Sequence, residues 1–369
     1  LQSSLAGGYD AFYGSLSLDG ATLAHLSYLG DTANDYAKGV AIDSAEDVYL
    51  TGYTHSTNFD TTAGAHSEIN AGGRDAFITK VSAMPQGAPP PPPPPPADAI
   101  SGTVFEDIAG DGLNGGTIGD ANNPGLAGVP VSLFIDEAEA QTADSPGEVG
   151  QYASIAIGSD GNPVMSYGDM SNGDLKVLHC DDPSCSSYTA TTVESAGSVG
   201  QWTSLAIGAD GFPVISHYDW GNLDLRVYKC SNVDCTAGSA TAVDTGGSQG
   251  SGSSITIGTD GLPIISYFDG TSYDLKVAHC NDAACTTSTR TAIDTFSTTG
   301  VASSITIGSD GLAVISYRYV PGADLKVAHC DNVACTSGTS TTVDTTGDLA
   351  GSSSIAQGSD GFPVVAYFD

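Results

Sequence analysis

The chain is poor in positive charge: ten Lys plus Arg stand against 43 Asp plus Glu, a formal charge of −33 over 369 residues. Phosphate backbones and anionic bilayers are held by clustered Lys and Arg, so nucleic acid is excluded as a partner. No window approaches the ~18 consecutive apolar residues of a membrane helix, so no helical span is expected. The chain opens at Leu1 with no charged n-region and apolar h-region, so any signal peptide is expected to be already removed or to lie upstream. Most of the acids are Asp in Gly-rich stretches, where Asp makes turns or binds Ca²⁺. An acidic surface also keeps a crowded extracellular protein soluble.

What the sequence has is repetition. GSDGNPVMSY around Asp160 returns as GADGFPVISH, GTDGLPIISY, GSDGLAVISY and GSDGFPVVAY, placing Asp160, Asp210, Asp260, Asp310 and Asp360 at a constant step of 50 residues. Asp174, Asp224, Asp274 and Asp324 keep the same step. Within a unit the period is two: Ile255 and Ile257 alternate with Thr256, and Leu275 and Val277 with Lys276. Asp260-Gly261 between apolar runs reads as a tight hairpin, and no stretch of the unit has helical periodicity. Four strands are predicted near 253–258, 263–268, 273–280 and 289–294, the size of one propeller blade. The fold class is therefore all-β, with tandem four-stranded blades of about 50 residues. Four units are complete and a fifth stops after two strands, while Gln141 to Gly147 matches the fourth strand of a unit. Closure by strands from the two ends is one expectation, and completion by further chain or another molecule is the other.

Four segments follow from the composition: 1–83, a linker at 84–98, a β segment at 99–136, and the 50-residue repeats at 137–369. GGYDAF at Gly7, the YLG turn, GVAIDSAEDVYLTGYT and GGRDAF at Gly72 resemble the SBBP propeller repeat of secreted bacterial and archaeal proteins. That resemblance covers residues 5–82 and implies propeller-type β-structure. Pro89 to Pro96 form an unbroken proline run that reads as a polyproline II spacer. Residues 100–134, with GTVFED, an Asp-Gly loop and PGLAGVPVSL, resemble the start of the Cna-B and Sdr-type B modules of surface adhesins. The resemblance implies Ca²⁺ on Asp107, Asp111 and Asp120 and an Ig-like sandwich, of which only a β-hairpin insert fits the space available.

Eight cysteines form the pairs Cys180/Cys185, Cys230/Cys235, Cys280/Cys285 and Cys330/Cys335, each bracketing four residues. Opposed cysteines at the ends of a hairpin are close enough for a disulfide. Zinc would need help from His179, His279 and His329, but neighbours on a strand face opposite ways and Lys229 takes that place in one unit. Disulfides and an oxidising compartment are expected, hence an extracellular or cell-surface location.

The repeated S-D-G-x-P-V resembles the Asp-box turns of sialidase-type propellers, with Asp160, Asp210, Asp260, Asp310 and Asp360 as structural turn residues. A sialidase needs an arginine triad, and the four arginines here, Arg74, Arg226, Arg290 and Arg318, fall in different units. Trp202 and Trp220 are expected to serve packing. The reading is a non-enzymatic structural or adhesive surface protein without a catalytic residue, self-associating head to tail through unfinished β-structure into a filament. The alternative is a glycan-binding or glycan-cleaving propeller, marked by aromatic and acidic residues that differ between blades at one mouth.

Overall fold

The computed structural model describes residues 11–16, 23–43, 47–57, 73–81, 138–144, 147–345, 353–358 and 361–367. Within them every regular element is a β-strand. β1 (Ala11–Leu16) and β2 (Leu23–Leu29) form an antiparallel pair. β3 (Asp35–Ile42), β4 (Val48–Thr54), β5 (Gly73–Val81) and β6 (Ala138–Asp144) pair in that order as the first four-stranded blade.

The second blade is β7 (Gly147–Ile157), β8 (Pro163–Asp169), β9 (Asp174–Cys180) and β10 (Tyr188–Glu194). The third is β11 (Gln201–Ile207), β12 (Pro213–Asp219), β13 (Asp224–Cys230) and β14 (Gly238–Asp244). β15 (Gln249–Ile257), β16 (Pro263–Asp269), β17 (Asp274–Cys280) and β18 (Ser288–Asp294) make the fourth. The fifth is β19 (Thr299–Ile307), β20 (Ala313–Tyr319), β21 (Asp324–Cys330) and β22 (Gly338–Asp344), followed by the pair β23 (Ser353–Gln357) and β24 (Pro363–Tyr367). Within each blade the strands form an antiparallel meander, a short parallel contact of β5 with β7 (Gly73 opposite Gly147, Arg74 opposite Glu148) joins the first two blades, and the described residues form propeller-type β-structure.

The first blade crosses the segment boundaries drawn from composition. β6, from the start of the repeat region, hydrogen-bonds to β5, from the N-terminal segment, with Phe77 opposite Thr142 and Val81 opposite Ala138. Residues 82–137 therefore interrupt a single blade between its third and fourth strands rather than separating two independent modules. That interrupting stretch, with Asp107, Asp111 and Asp120, lies outside the described residues, as does Asp360.

The cores lie between blades. Val164, Leu175 and Val177 of the second blade pack with Leu205, Ile215 and Tyr228 of the third, and the same arrangement recurs at the next two interfaces. The first interface joins Tyr49 and Ile78 to Ile155 and Met165. Because these blades are covered on both faces, the second strand is buried without alternation: all seven residues of β8 and of β12 are buried, polar Ser166, Asp169, Ser216, His217 and Asp219 among them. At roughly 25 cal/mol per Å² of apolar surface, this stacking is the main stabilising term.

Polar groups repeat with the same period. Ser154 Oγ accepts the Leu205 N–H at 3.0 Å, Ser204 Oγ that of Ile255 at 3.1 Å, and Ser254 Oγ that of Ile305 at 3.3 Å. Each innermost strand is thus tied to the next one.

The turn aspartates cap their hairpins. Asp160, Asp210, Asp260 and Asp310 accept the N–H of Asn162, Phe212, Leu262 and Leu312 at 3.1 to 3.2 Å. Gly261, at φ 79°, completes one such turn. Each Asp also meets a partner on the third strand: His179, His279 and His329 at 2.9 Å, and Lys229 at 3.0 Å.

All four cysteine pairs are bonded, with Cα separations of 4.7 to 5.0 Å. Their setting corrects the expectation of two opposed strand positions. Cys180, Cys230, Cys280 and Cys330 end the third strands, where they face Tyr188, Gly238, Ser288 and Gly338 across the ladder. Their partners, Cys185, Cys235, Cys285 and Cys335, belong to no strand. Each sits inside the turn with a left-handed backbone, at φ 54°, 50°, 54° and 49° respectively. Their N–H groups donate to Asp182 O, Asn232 O, Asp282 O and Asn332 O, closing the turn before the fourth strand begins. The reason is spacing: four bracketed residues only suffice to curl the chain back, so the second cysteine is reached while the turn is still being made. Each bond staples a strand end to its own turn.

Candidate functional site

The innermost strand of every blade carries a bulge. Pairing slips between Gln151 and Ser154 in β7, and again between Gln201 and Ser204, Ser251 and Ser254, and Val301 and Ser304. One residue of each bulge adopts a left-handed backbone: Tyr152 at φ 55°, Trp202 at 48°, Gly252 at 61° and Ala302 at 51°. For a residue with a side chain this costs about 1–3 kcal/mol and persists only where the surroundings enforce it. The neighbouring blade supplies the enforcement. Thr203 Oγ1 donates to Tyr152 O at 2.6 Å, Ser253 Oγ to Trp202 O at 3.1 Å, and Ser303 Oγ to Gly252 O at 3.2 Å.

These bulges line a cavity of about 400 Å³ between the innermost strands, walled by Lys38, Tyr152, Trp202, Gly252, Ala302 and Ser303 among others. Its wall contains no Asp or Glu among the described residues. The two halves are unlike. Tyr152 and Trp202 stand with ring centroids 5.2 Å apart, whereas Gly252 and Ala302 leave the opposite side open. From Trp202 the ring contacts continue to the buried Tyr218 at 5.4 Å and then to Trp220 at 6.0 Å, which is 55% exposed. Trp202 and Trp220 are therefore surface and cavity residues, not the core packing expected of them.

Lys38 enters from the first blade. The pairing of β3 with β4 slips between Ala37 and Gly39, which leaves Lys38 out of the ladder. Its Nζ lies 5.5 Å from the Tyr36 ring centroid and 5.6 Å from that of Tyr53. Surrounding protein displaces water and lowers the lysine pKa. Arg74 also covers Tyr53, at 5.4 Å, and pairs with Glu148 at 3.1 Å while donating to His55 Nε2 at 3.2 Å. Burial raises the Tyr53 and Tyr152 phenols, with the Arg74 charge acting against it.

A second set of ionisable groups ties blades together. Tyr267 and Lys276 both reach Asp244, at 2.8 and 2.7 Å. Tyr317 and Lys326 reach Asp294, and Tyr167 and Lys176 reach Asp144, in the same way. Only the interface between second and third blades substitutes all three partners, with Glu194 held by His217 at 3.1 Å and Arg226 at 2.6 Å. These groups are buried and serve the interfaces. Among the described residues no group of three or more His, Cys, Asp or Glu is arranged to hold a metal ion.

Residues 27–60 match the family described as SBBP, beta-propeller repeat. No curated protein matches the chain. Among solved structures it is similar to an exo-β-1,3-galactanase from Phanerochaete chrysosporium, at 12% identity and a TM-score of 0.39, over 53% of this chain and 49% of that one. It is also similar to an α-L-arabinofuranosidase from Fusarium graminearum, at 13% identity and a TM-score of 0.43, over 59% and 74% of the two chains. A puromycin hydrolase is 10% identical, with a TM-score of 0.46 over 94% of this chain and 44% of its own. The chain thus spans about half the length of the galactanase. At such identities the likeness concerns the fold alone, and no catalytic residue passes to this chain through it.

The expectation of a non-enzymatic chain is withdrawn, since the solved structures similar to it are enzymes, and their activities remain their own. The lack of a sialidase-type arginine set excludes one mechanism, not catalysis. No relative supports the Cna-B and Asp-box resemblances, although the turn aspartates do cap their hairpins.

Proposed function

We propose that this chain engages a glycan at the axial cavity, in preference to the purely structural role expected from its repeats. The observation that carries the reading is the left-handed column, which runs Tyr152, Trp202, Gly252, Ala302. Repeats that are otherwise alike diverge here, so the cavity has one aromatic wall and one open wall. Sugar rings present an apolar face that stacks on aromatic rings, and their hydroxyls find the serine and threonine groups beside it. A cavity of about 400 Å³ lies within the range of small-ligand sites. Four disulfides fit an oxidising, extracellular setting where such glycans occur.

The test is calorimetric titration with neutral hexose and pentose oligosaccharides, comparing the native chain with Trp202→Gly. Glycine is suited to that backbone and already occupies the equivalent place at Gly252, so the fold is retained while the ring is lost. Affinity is expected to fall at least tenfold. Undiminished binding would overturn the reading. Chromatography of the sugars after incubation reports cleavage in the same samples.

A further inference from the structure

The chain has ten cationic side chains. Eight of them pair with a carboxylate: Arg74, Lys80, Lys176, Arg226, Lys229, Lys276, Arg290 and Lys326. Arg318 is also engaged, and Lys38 alone of the ten has no carboxylate or other polar partner among the described residues. In a chain of formal charge −33, acids are abundant, yet among the described residues the cavity wall that holds Lys38 contains none. The side chain is exposed and lines that wall.

Its position is built by the backbone. The slip between Ala37 and Gly39 removes Lys38 from the ladder, and a Cβ on Gly39 would come within 3.2 Å of Ile155 and Thr51. Its contacts are the rings of Tyr36 and Tyr53, whose own centroids stand 4.9 Å apart. Rings orient an ammonium group but carry no net charge to neutralise it. Arg74, the other cation over Tyr53, is matched by Glu148. Among the described residues the mouth therefore holds one unbalanced positive charge beside the aromatic wall.

We propose that the glycan bound at the axial mouth is acidic, carrying a single carboxylate or sulfate group that pairs with Lys38. The proposal rests on the glycan reading of the same cavity. A single charge is specified because the surrounding surface repels a polyanion, whereas at physiological salt fields are screened beyond about 8 Å and a lone anionic group inside the cavity meets Lys38.

The experiment measures binding of galactose, galacturonic acid, galactose 6-sulfate and polygalacturonate to the native chain, Lys38→Gln, Lys38→Arg and Glu148→Gln at neutral pH. The native chain is expected to prefer an acidic monosaccharide over galactose at least tenfold. Whichever of the uronic acid and the sulfate binds more tightly identifies the anionic group. Lys38→Gln should bring the preference to about one, Lys38→Arg should keep it, and Glu148→Gln should increase it by freeing Arg74. Polygalacturonate should bind more weakly per residue than the monosaccharide, and more tightly as salt rises.

Equal affinity for galactose and both acidic sugars, or a preference unchanged in Lys38→Gln, overturns the acidic-sugar inference while leaving the glycan reading standing. Tighter binding of polygalacturonate that weakens with salt overturns the single-charge form. Failure of every sugar to bind overturns both.

Discussion

Tyr317 in the fifth blade donates its hydroxyl to Asp294 at the end of the fourth, 2.7 Å away, and Lys326 closes on the same carboxylate oxygen. The carboxylate is buried between two sheets and shared by both partners. Replacement by Ala leaves the Lys326 ammonium without its carboxylate and the Tyr317 phenol with only the Ser340 and Thr299 hydroxyls. Breaking a buried pair in this way costs about 3–5 kcal/mol. Asp294→Ala should show that loss in urea denaturation, and a change below about 1 kcal/mol would mean the seam relaxes enough to admit water.

Acid should loosen the blades. Burial works to raise Asp244, Asp294 and Glu194, but it is outweighed: Lys276 with Tyr267, Lys326 with Tyr317, and His217 with Arg226 hold the three carboxyls below their ordinary values. Asp182 in the first stapled turn is likewise lowered, to about 2, where hydroxyl and amide donors from Ser184 and Ser186 overcome desolvation. A depressed folded pKa means the unfolded chain binds more protons in acid. The stabilisation is therefore complete above the unfolded carboxylate values near 4, and is lost as pH falls through the folded ones. Denaturation midpoints from pH 7 to 2 should be flat at first and then drop below about pH 4.

The second and third blades offer a test of exchangeable parts. His217, Glu194 and Arg226 occupy the places that Tyr, Asp and Lys hold at the neighbouring seams. His217→Tyr alone leaves a longer carboxylate facing a longer phenol and should destabilise by about 1–3 kcal/mol. Combining it with Glu194→Asp and Arg226→Lys should recover most of that loss. Additive losses in the triple variant would show that the seam is shaped by its backbone rather than by this trio.

Much of the fold was legible because each signal is local and repeated. Ile255, Ile257, Asp260-Gly261 and Leu275 through Val277 place three strands and a turn within a few residues of where they lie. The match of residues 141–147 to a fourth strand pointed to β6, but not to its partner β5, since pairing across residues 82–137 leaves no mark in either segment. Cysteine spacing showed which sulfurs meet, yet not that Cys185, Cys235, Cys285 and Cys335 turn left-handed ahead of the fourth strand, because spacing carries no backbone angle.

The cavity was hidden for a different reason. Tyr152, Trp202, Gly252 and Ala302 share a backbone state, not a residue type. The column lies where the otherwise matching repeats differ in residue type, while the recurring Asp169, Asp219 and Asp269 cap turns. The pairing of Asp160 with His179 was also available, since Asp and His or Lys recur 19 residues apart in four units.

In the second to fifth blades the third and fourth strands are joined by a short turn, 181–187 in the second, that a disulfide closes. In the first blade the same junction is residues 82–137, between Val81 and Ala138. Loop closure costs grow as (3/2)RT ln n, so this junction is about 2 kcal/mol dearer to form than its stapled counterparts. The later blades can assemble from neighbours in sequence, while the first must wait for a distant strand to arrive. During synthesis, β3, β4 and β5 emerge well before β6 and are completed only after the whole interrupting stretch has been made. Of the four-stranded blades described, the first is thus the slowest to close, and its open edge is the one a nascent chain has longest to protect.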